Sequence, residues 1–466
     1  MSTIKLKELS KLGYTNDQAR SLALNITGKH YKHQTREEVL QLLKNIRDKP
    51  EDYVHDPVTG KIAATFMDTE VECNFQTFSL LEETGALKIY GGKEIEGSAK
   101  KQMELAMSLP VTLQGALMPD AHMGYGLPVG GVLATRNAVI PFAVGVDIGC
   151  RMALSISDES DSFFRSNGHQ MKLALREHTH FGMESNPDFR REHEVMDSSD
   201  FKSTELLKRL QGKAAKQLGS SGSGNHIVEF CSLELFEDNY LGLPAKKYVA
   251  LLSHSGSRGL GANIAQHYTK IAMDTCKLPR EAQQLAWLDM NTEAGQEYWL
   301  SMNLAGRYAK ACHETIHEAL LDSLALTALA VVENHHNFAW AETMADGTEA
   351  IVHRKGATPA HKGEPGIIPG NMIDAAYLVS GTGNSQALNS AAHGAGRAMS
   401  RQKAKDNMTV SGLKQMLSGA GVQLIGGSVE ENPYAYKNIE QVMAAQTELV
   451  KVEGILHPKI VRMNKE

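Results

Sequence analysis

Cysteine is scarce in this sequence, and long apolar runs are absent. The five cysteines among 466 residues are odd in number and widely scattered, which argues against a disulfide framework and for a reducing compartment. No window approaches the roughly 18 uninterrupted apolar residues of a transmembrane helix. The first residues, MSTIKLKELSKLGY, lack the apolar core of a secretory signal. We therefore expect a cytoplasmic protein with no membrane partner.

Excess positive charge is also lacking. The formal net charge is −6, so any site for a polyanion has to be a local basic patch. Hydrophobic content of 42% and charged content of 22% are ordinary for a soluble globular protein. A chain of this length has room for about two to four domain-sized units.

The first 60 residues are predicted to form a helical N-terminal extension that ends in a linker. Capping-box patterns begin at Thr15 and at Thr35. After the second of them, one helical face carries Val39, Leu42, Leu43 and Ile46. The stretch 48–61 contains prolines, charges and a glycine, which is typical of a linker. Residues 61–466 then form the main body.

Short β-type runs and helical stretches alternate irregularly in this body. The β-type runs, bordered by Gly, Asn, Asp or Ser, are LPVGGVLAT, NAVIPFAVGVDIGC, HIVEFCSL and KYVALLSH. Helical patterns cover 203–218, 258–275 and 280–333. This mixture predicts an α+β fold. Residues 355–397 are rich in glycine and predict a long loop that carries function.

The sequence HETIH, from His313 to His317, matches a zinc-hydrolase pattern. H-E-x-x-H on a helix places two imidazoles one turn apart, with Glu314 as general base. No third ligand follows in a recognisable context, and the flanking residues have the spacing of an ordinary surface helix. The zinc hydrolase therefore stays an alternative interpretation.

Three histidines and a D-x-x-C pair suggest a metal site. His226, His254 and His336 each follow or end an apolar run beside Asn, Ser or Gly, and Asp147 stands three residues before Cys150. Singly, each histidine is better explained by a structural hydrogen bond, and the cysteine by burial. Together the carboxylate, the thiolate and the imidazoles suit a divalent transition metal, with a thiolate able to bridge two ions.

The segment 390–405, SAAHGAGRAMSRQKAK, is a third candidate site. Two glycines after His393 allow a ligand to approach the backbone closely. The basic residues that follow at near-helical spacing, a surface suited to phosphates, are Arg397, Arg401, Lys403 and Lys405. A loop that leads into a solvated basic helix is the alternative.

In combination, these motifs resemble the RtcB family of RNA-splicing ligases, with this chain as a divergent bacterial-type member. The similarity runs from about residue 85 to the C-terminus, in family order. Its segments are MPDAHMGYGLPVGGVLAT, VGVDIGCRM, QLGSSGSGNHIVEF, SHSGSRGLG, HHNFAW, HRKGATPAHKGEPGIIPG, HGAGRAMSR and ENPYAYKNIEQVM. The resemblance implies an RtcB-like ligase fold over residues 61–466.

The resemblance also implies a GTP- and Mn²⁺-dependent enzyme that joins RNA ends. A histidine, here His393, would attack GTP and carry GMP to an RNA 3′-phosphate, which a 5′-hydroxyl then joins. A 2′,3′-cyclic phosphate would enter after hydrolysis. The two ions would be held by Asp147, Cys150, His226, His254 and His336, with the cysteine as the bridge. Asp120, in MPDAH, would orient His393 or handle a proton.

The nucleotide contacts implied by the resemblance are Asn225, Glu229, Asn371, Arg397, Tyr436 and Lys465. Asn225 and Arg397 would contact phosphates, and Glu229 and Tyr436 the guanosine. The chain departs from the family at two places. Asn371 replaces a serine that helps to bind guanine, and the C-terminus reads VRMNKE, so that Lys465 matches the family lysine only with a one-residue shift.

Two further interpretations stay open besides the zinc hydrolase. One is a nucleotide- and RNA-binding paralogue that does not ligate, and the other is a ligase with altered nucleotide specificity. An activator protein is compatible with the sequence but has no readable signature in it. The physiological RNA is not specified by any motif.

Overall fold

The computed structural model describes residues 4, 6–14, 17–31, 33–67, 75–182 and 191–464. The chain divides into two compact units, Met1–Asn74 and Phe75–Glu466, whereas the sequence suggested a division after residue 60. The predicted helix start at Thr15 and the predicted nucleotide contact Lys465 lie outside the described residues.

The smaller unit is helical, as the sequence predicts for its first part. Its helices are α1 (Leu6–Lys11), α2 (Asp17–His30), α3 (Arg36–Asp48) and α4 (Gly60–Ala63). The capping box at Thr35 is confirmed, since its hydroxyl accepts from the Glu38 amide and the Glu38 carboxylate accepts from the Thr35 amide at 2.7 Å. Leu43 and Ile46 are fully buried on the inner face of α3.

The segment 48–61 belongs to this helical unit and does not form a linker. It contains a 3₁₀ turn at Pro50–Asp52 and the beginning of α4. Tyr53 and Val54 pack against the same core as the fully buried Ile62. The prolines and the glycine therefore mark tight turns within a packed unit.

The larger unit combines helices with several β-sheets. Its helices are α5 (Gly97–Met107), α6 (Pro141–Val144), α7 (Phe163–His178), α8 (Glu205–Gln217), α9 (Arg258–Thr275), α10 (Glu293–Ser323), α11 (Arg401–Asn407), α12 (Val410–Gly419) and α13 (Ile439–Ala444). Its strands in the first half are β1 (Gln76–Thr77), β2 (Ala86–Ile89), β3 (Thr112–His122), β4 (Val129–Thr135), β5 (Ala138–Val139), β6 (Arg151–Ser157), β7 (His180–Phe181), β8 (Ser220–Ser221), β9 (Ile227–Leu235) and β10 (Lys247–Ser255). The second half adds β11 (Cys276–Lys277), β12 (Leu288–Asp289), β13 (Ala328–His335), β14 (Asn337–Thr343), β15 (Glu349–Lys355), β16 (Ala357–Pro359), β17 (Pro365–Ile368), β18 (Ala376–Gly381), β19 (Ser390–Ala392), β20 (Gln423–Ile425) and β21 (Val450–Met463).

Two larger sheets organise these strands. The eight-stranded sheet has the order β13-β6-β10-β9-β21-β18-β17, with β20 paired in parallel to β21. The five-stranded sheet has the order β14-β15-β4-β3-β2. Antiparallel pairing dominates both sheets, in which β2–β3 and β20–β21 are parallel pairs, so the predicted α+β class is confirmed.

Three local predictions differ from the structure. Within 137–150 only Ala138–Val139 is a strand, because Pro141 at the first helical position starts α6. The helical pattern over 280–333 stops at Ser323, and β13 begins at Ala328. The glycine-rich segment 355–397 is not one long loop, since β16 to β19 lie within it and pair with each other or with β21.

The core of the larger unit surrounds α10. Met302, Leu304, Ala305 and Tyr308 are fully buried on this helix, in one cluster with residues of α5, α8 and α9. Among the residues described, no helix combines the length and the apolar character needed to cross a membrane.

Candidate active site

The predicted metal residues lie together at one end of four neighbouring strands of the eight-stranded sheet. The neighbouring strands β13, β6, β10 and β9 are antiparallel, so β6 and β9 begin at the edge where β10 and β13 end. The side chains placed there, each at or next to a strand end, are Cys150, His226, His254 and His336. Strand topology thus explains why residues almost 190 positions apart in the sequence meet.

The ligand atoms form two sets that share one thiol. Cys150 Sγ lies 3.4 Å from His226 Nε2 and 3.2 Å from His254 Nε2. His254 Nε2 lies 3.2 Å from His336 Nε2, and His226 Nε2 lies 3.1 Å from Asp147 Oδ2. One set is Cys150, His254 and His336, the other is Asp147, Cys150 and His226, and the atoms of each set lie within 4.8 Å of one another.

The surroundings prepare these side chains to act as ligands. Burial lowers the pKa of His254 to about 3, so its imidazole is neutral. Its Nδ1 lies 3.0 Å from the Asn225 carbonyl oxygen, which holds the proton on Nδ1 and turns an unprotonated Nε2 toward Cys150. The Ser257 amide donates to Asp147 Oδ1 at 3.0 Å and fixes the carboxylate.

The donor set fits a divalent transition metal. Burial and the neighbouring Asp147 carboxylate raise the pKa of the Cys150 thiol, so a bound cation is the agent that would favour its thiolate. The buried Nδ1 atoms of His226 and His336 have no hydrogen-bond partner among the described residues. A thiolate, imidazoles and one carboxylate are ligands that divalent transition metals accept.

His393 lies beside this cluster and is paired with Asp120. The His393 and His336 rings are 5.0 Å apart between centroids. His393 Nδ1 lies 2.7 Å from Oδ2 of Asp120, a fully buried residue of β3. The same oxygen accepts a hydrogen bond from the His393 backbone amide at 3.1 Å. A carboxylate at Nδ1 favours the tautomer that has the proton on Nδ1 and the lone pair on Nε2.

A cavity of about 320 Å³ joins the metal cluster, His393 and the predicted nucleotide contacts. The members of the predicted set that line it are Asn225, Glu229, Asn371, Arg397 and Tyr436. The cavity also contains Lys355, which the sequence analysis did not single out. Burial lowers the pKa of Lys355 to about 7, and its ammonium donates to the Phe142 carbonyl at 3.0 Å.

Comparison with known proteins identifies the family of this chain. The family model described as tRNA-splicing ligase RtcB matches residues 102–464. The chain belongs to the RtcB family. The resemblance read from its motifs is therefore confirmed.

Individual relatives match most of the chain. The RNA-splicing ligase RtcB of Escherichia coli (strain K12) is 30% identical over 403 residues, which cover 80% of this chain and 96% of the relative. The tRNA-splicing ligase RtcB of Nanoarchaeum equitans is 30% identical over 438 residues, with 78% and 91% covered. The tRNA-splicing ligase RtcB of Methanococcus maripaludis is 31% identical over 400 residues, with 70% and 82% covered.

Arg397 and Tyr436 meet at a carboxylate that the sequence analysis missed. Glu431 Oε2 accepts from Arg397 Nη1 at 2.8 Å and from the Tyr436 hydroxyl. Arg397 also donates to the backbone oxygens of Glu430 and Met399, so its guanidinium is held on three sides. Glu431 lies in the ENPYAYKN motif, but no local pattern in that motif indicates a partner 34 residues earlier.

The basic segment that follows is the start of a helix, as one alternative proposed. α11 begins at Arg401 with Ser400 as its N-cap. Arg401 Nε lies 3.7 Å from Glu431 Oε1, and Lys405 Nζ lies 3.0 Å from Glu430 Oε2. These basic residues are therefore balanced by an acidic pair, while Lys403 is exposed.

Glu229 and Asn371 differ in how many of their side-chain polar atoms already have hydrogen-bond partners. Glu229 is buried with one carboxyl oxygen unpartnered among the described residues, and burial raises its pKa to about 8. Asn371 Oδ1 accepts from the amides of Ile373 and Asp374 at 2.9 Å, and its Nδ2 donates to the Asp374 carboxylate at 2.7 Å. The Asn371 side chain thus closes its own turn at the cavity wall.

The HETIH segment is a buried structural network and not a surface helix with a zinc site. Ser253 Oγ lies 2.6 Å from His313 Nδ1 and 2.7 Å from His317 Nε2, and both histidines are buried. His317 Nδ1 lies 2.8 Å from Ser155 Oγ. Glu314 is on the opposite side, half exposed, and pairs with His193. His313 Nε2 lies 3.2 Å from the Ser255 carbonyl oxygen. All four imidazole nitrogens thus have serine hydroxyl or carbonyl partners, which argues against the zinc-hydrolase alternative.

Proposed function

We propose that this protein is an RNA ligase that uses GTP and Mn²⁺ to join an RNA 3′-phosphate, or a 2′,3′-cyclic phosphate after hydrolysis, to a 5′-hydroxyl. The observation that carries the proposal is the Asp120–His393 pair, set beside two ligand sets in one cavity. The relatives' names, RNA-splicing and tRNA-splicing ligase, support RNA as the substrate.

His393 is the proposed nucleophile. Its Nε2 lone pair attacks the α-phosphorus of GTP, a nitrogen–phosphorus bond forms, and the bond to the departing pyrophosphate breaks. The proton on Nδ1 stays on the ring. Asp120, whose Oδ2 holds that nitrogen at 2.7 Å, stabilises the positive charge that develops on the imidazole.

Two further transfers complete the reaction. An oxygen of the RNA 3′-phosphate attacks the phosphorus on His393, and the nitrogen–phosphorus bond breaks. This step regenerates the imidazole and leaves the RNA 3′ end joined to guanosine through a diphosphate. The 5′-hydroxyl of the second RNA then attacks the 3′-phosphorus, loses its proton to solvent, and expels GMP. A cyclic phosphate first consumes one water to give the 3′-phosphate.

The metal residues would hold two Mn²⁺ ions that share the Cys150 thiolate. One set is Cys150, His254 and His336, and the other adds Asp147 and His226 to Cys150. Bound ions of this kind neutralise phosphate charge during phosphoryl transfer. The contribution of this chain is to orient the ligands, through the Asn225 carbonyl behind His254 and the Ser257 amide behind Asp147.

The nucleotide would lie along the remaining cavity wall. Asn225 and Arg397 are the proposed phosphate contacts, and Glu229, Asn371 and Tyr436 the proposed guanosine contacts. Arg397 reaches the cavity already oriented by Glu431. Lys465 stays a proposed base contact. The larger unit, Phe75–Glu466, would form the catalytic domain, with the helical unit Met1–Asn74 as an extension.

Covalent labelling tests this function. The protein is incubated with Mn²⁺ and α-³²P-labelled GTP and resolved on a denaturing gel, with His393→Ala and, as a matched control, the exposed His267→Ala. We expect a manganese-dependent band in the wild type and in His267→Ala, and none in His393→Ala. The same proteins are then assayed for joining of 3′-phosphate and 5′-hydroxyl RNA.

Other outcomes would overturn parts of the proposal. A band with ATP and none with GTP would replace the nucleotide assignment. Nucleotide and RNA binding without any label or joined product would indicate the non-ligating paralogue. A band that persists in His393→Ala would place the nucleophile elsewhere.

A further inference from the structure

An exposed apolar rim borders the cavity. Tyr125 is 69% exposed and Met123, two residues earlier in the same loop, is 64% exposed. Val146, 49% exposed, lines the cavity next to Asp147. His122, directly before Met123, also lines the cavity. The rim therefore lies beside the cavity.

The loop that carries this rim is braced. Gly124 exchanges two hydrogen bonds with the Gln102 side chain, at 2.6 and 3.0 Å. The Gly126 amide donates to Gln284 Oε1 at 3.0 Å. Gly126 has φ +67°, a left-handed conformation that favours glycine, and packs against Phe142. The exposed side chains thus stand on a fixed backbone.

Lys355 connects this loop to the cavity. Its ammonium donates to the Tyr125 carbonyl and, at 3.0 Å, to the Phe142 carbonyl, while the same side chain lines the cavity. The position of the Tyr125 backbone is consequently fixed relative to the cavity wall on which the reaction is proposed to occur. A fixed loop that presents an aromatic side chain to solvent pays little conformational entropy when a ligand binds to it.

We propose that Tyr125, with Met123 from the same loop, is a stacking platform for a nucleobase at the RNA end being joined. This inference rests on the proposed function. Bases of single-stranded RNA ends stack on aromatic side chains, and such stacking tolerates any base because each has a π face. Stacking next to the cavity would hold the terminal phosphate or hydroxyl in line with the reacting phosphorus.

The small size of the rim favours a base over a protein partner. A specific protein interface buries about 800 Å² on each side, whereas this rim consists of three side chains. A single base needs one flat apolar surface, and Tyr125 offers it. Methionine adapts its shape to a neighbouring ring, which suits Met123 as the second contact.

The test uses RNA that carries 2-aminopurine, whose fluorescence is quenched by stacking. One oligonucleotide has it at the 3′-phosphate end and another at the 5′-hydroxyl end. Each is titrated with the full-length wild type, Tyr125→Phe, Tyr125→Ala and a control, Phe236→Ala, an exposed aromatic residue that does not line the cavity. Guanylylation with GTP alone reports whether the active site of each variant is folded.

We expect quenching with at least one oligonucleotide in the wild type, Phe236→Ala and Tyr125→Phe. In Tyr125→Ala this quenching should be lost, and the RNA Kd and the KM for joining should rise about 5- to 150-fold, the range of a stacked base. Unchanged quenching and KM in Tyr125→Ala, in a protein that is guanylylated and joins RNA, would overturn the platform alone. A wild type that is neither guanylylated nor active on RNA would overturn the proposed function, and the platform with it.

Discussion

One carboxylate oxygen, Oδ2 of Asp120, contacts His393 twice: it lies 2.7 Å from Nδ1 and accepts the backbone amide at 3.1 Å. The two contacts fix the ring and the backbone that carries it. Asp120 is fully buried in β3, so its carboxylate cannot turn toward solvent. The orientation of the proposed nucleophile is therefore built into the five-stranded sheet before any substrate binds.

Asp120→Asn should slow guanylylation of His393 by about 10²–10⁴-fold, the scale seen when the aspartate partner of a catalytic histidine is neutralised. The amide keeps the shape of the side chain but removes the charge that stabilises a positive imidazole. The rate of labelling by GTP measures the effect. Asp346→Asn, in an exposed turn, is the matched control. Labelling of Asp120→Asn at the wild-type rate would contradict the orienting role.

Replacement of the shared thiol should have a larger effect on metal content than replacement of a ligand from one set. Cys150→Ala removes a ligand from both sets, whereas His336→Ala leaves Asp147, Cys150 and His226 in place. We expect Cys150→Ala to retain almost no Mn²⁺ and His336→Ala about one ion per chain, because each ion needs its full set of ligands. Metal analysis after equilibrium dialysis measures this content.

Cys231→Ala is the control for the metal experiment, since Cys231 is also buried but belongs to neither set. It should retain the wild-type content. Equal metal loss in Cys150→Ala and His336→Ala would mean that the two sets do not bind independently. Wild-type content in Cys150→Ala would remove the thiolate from the site.

The sequence was informative where residue types and local patterns determine the outcome. The apolar runs bounded by polar residues located β9 and β10, and the thiol, carboxylate and imidazoles at the ends of such runs suggested a metal site. The convergence itself depends on the order of the strands, which no local pattern contains. The resemblance of the motifs to a known family predicted that Cys150 and His254 lie close together. The antiparallel order β13-β6-β10-β9 gives the physical reason.

Interactions between distant segments account for the errors and omissions. His313 has the spacing of a zinc ligand, but Ser253 and Ser255, about 60 residues earlier, occupy its two ring nitrogens and make it structural. Nothing in the local sequence distinguishes Glu431 from other acidic residues. A β-bridge between Arg397 and Tyr436 places both residues next to it. A glycine-rich composition predicted a loop at 355–397, whereas pairing with partner strands determines the conformation there.

His313→Ala should destabilise the protein without removing its metal. The variant leaves a cavity in a buried site and leaves Ser253 Oγ with one partner fewer, at a cost of about 2–4 kcal/mol. Urea unfolding measures this loss, and Mn²⁺ content should stay near that of the wild type. The comparison variant is Glu314→Gln, which should change neither property because Glu314 is on the exposed side. Loss of metal with unchanged stability would restore a ligand role for HETIH.

Stability should depend on pH through Glu229. Burial raises the pKa of this carboxyl from 4.5 to about 8. Between these values the unfolded chain releases the proton while the folded protein keeps it, so stability falls as pH rises, by at most about 1.4 kcal/mol per pH unit. Glu229→Gln has no such proton. The variant should therefore gain stability over the wild type as pH rises from about 4.5 to 8, with no gain below that range.

Unfolding in urea at pH 5, 6.5 and 8 measures this difference, with Glu234→Gln as the control, because Glu234 is a half-exposed residue of the same strand. The control should show no comparable pH trend. A stability difference between Glu229→Gln and the wild type that stays constant with pH would mean that Glu229 is ionised in the folded protein. A difference that grows with pH means that a neutral carboxyl faces the cavity. Such a group both donates and accepts a hydrogen bond, so Glu229→Gln should then retain more GTP affinity than Glu229→Ala.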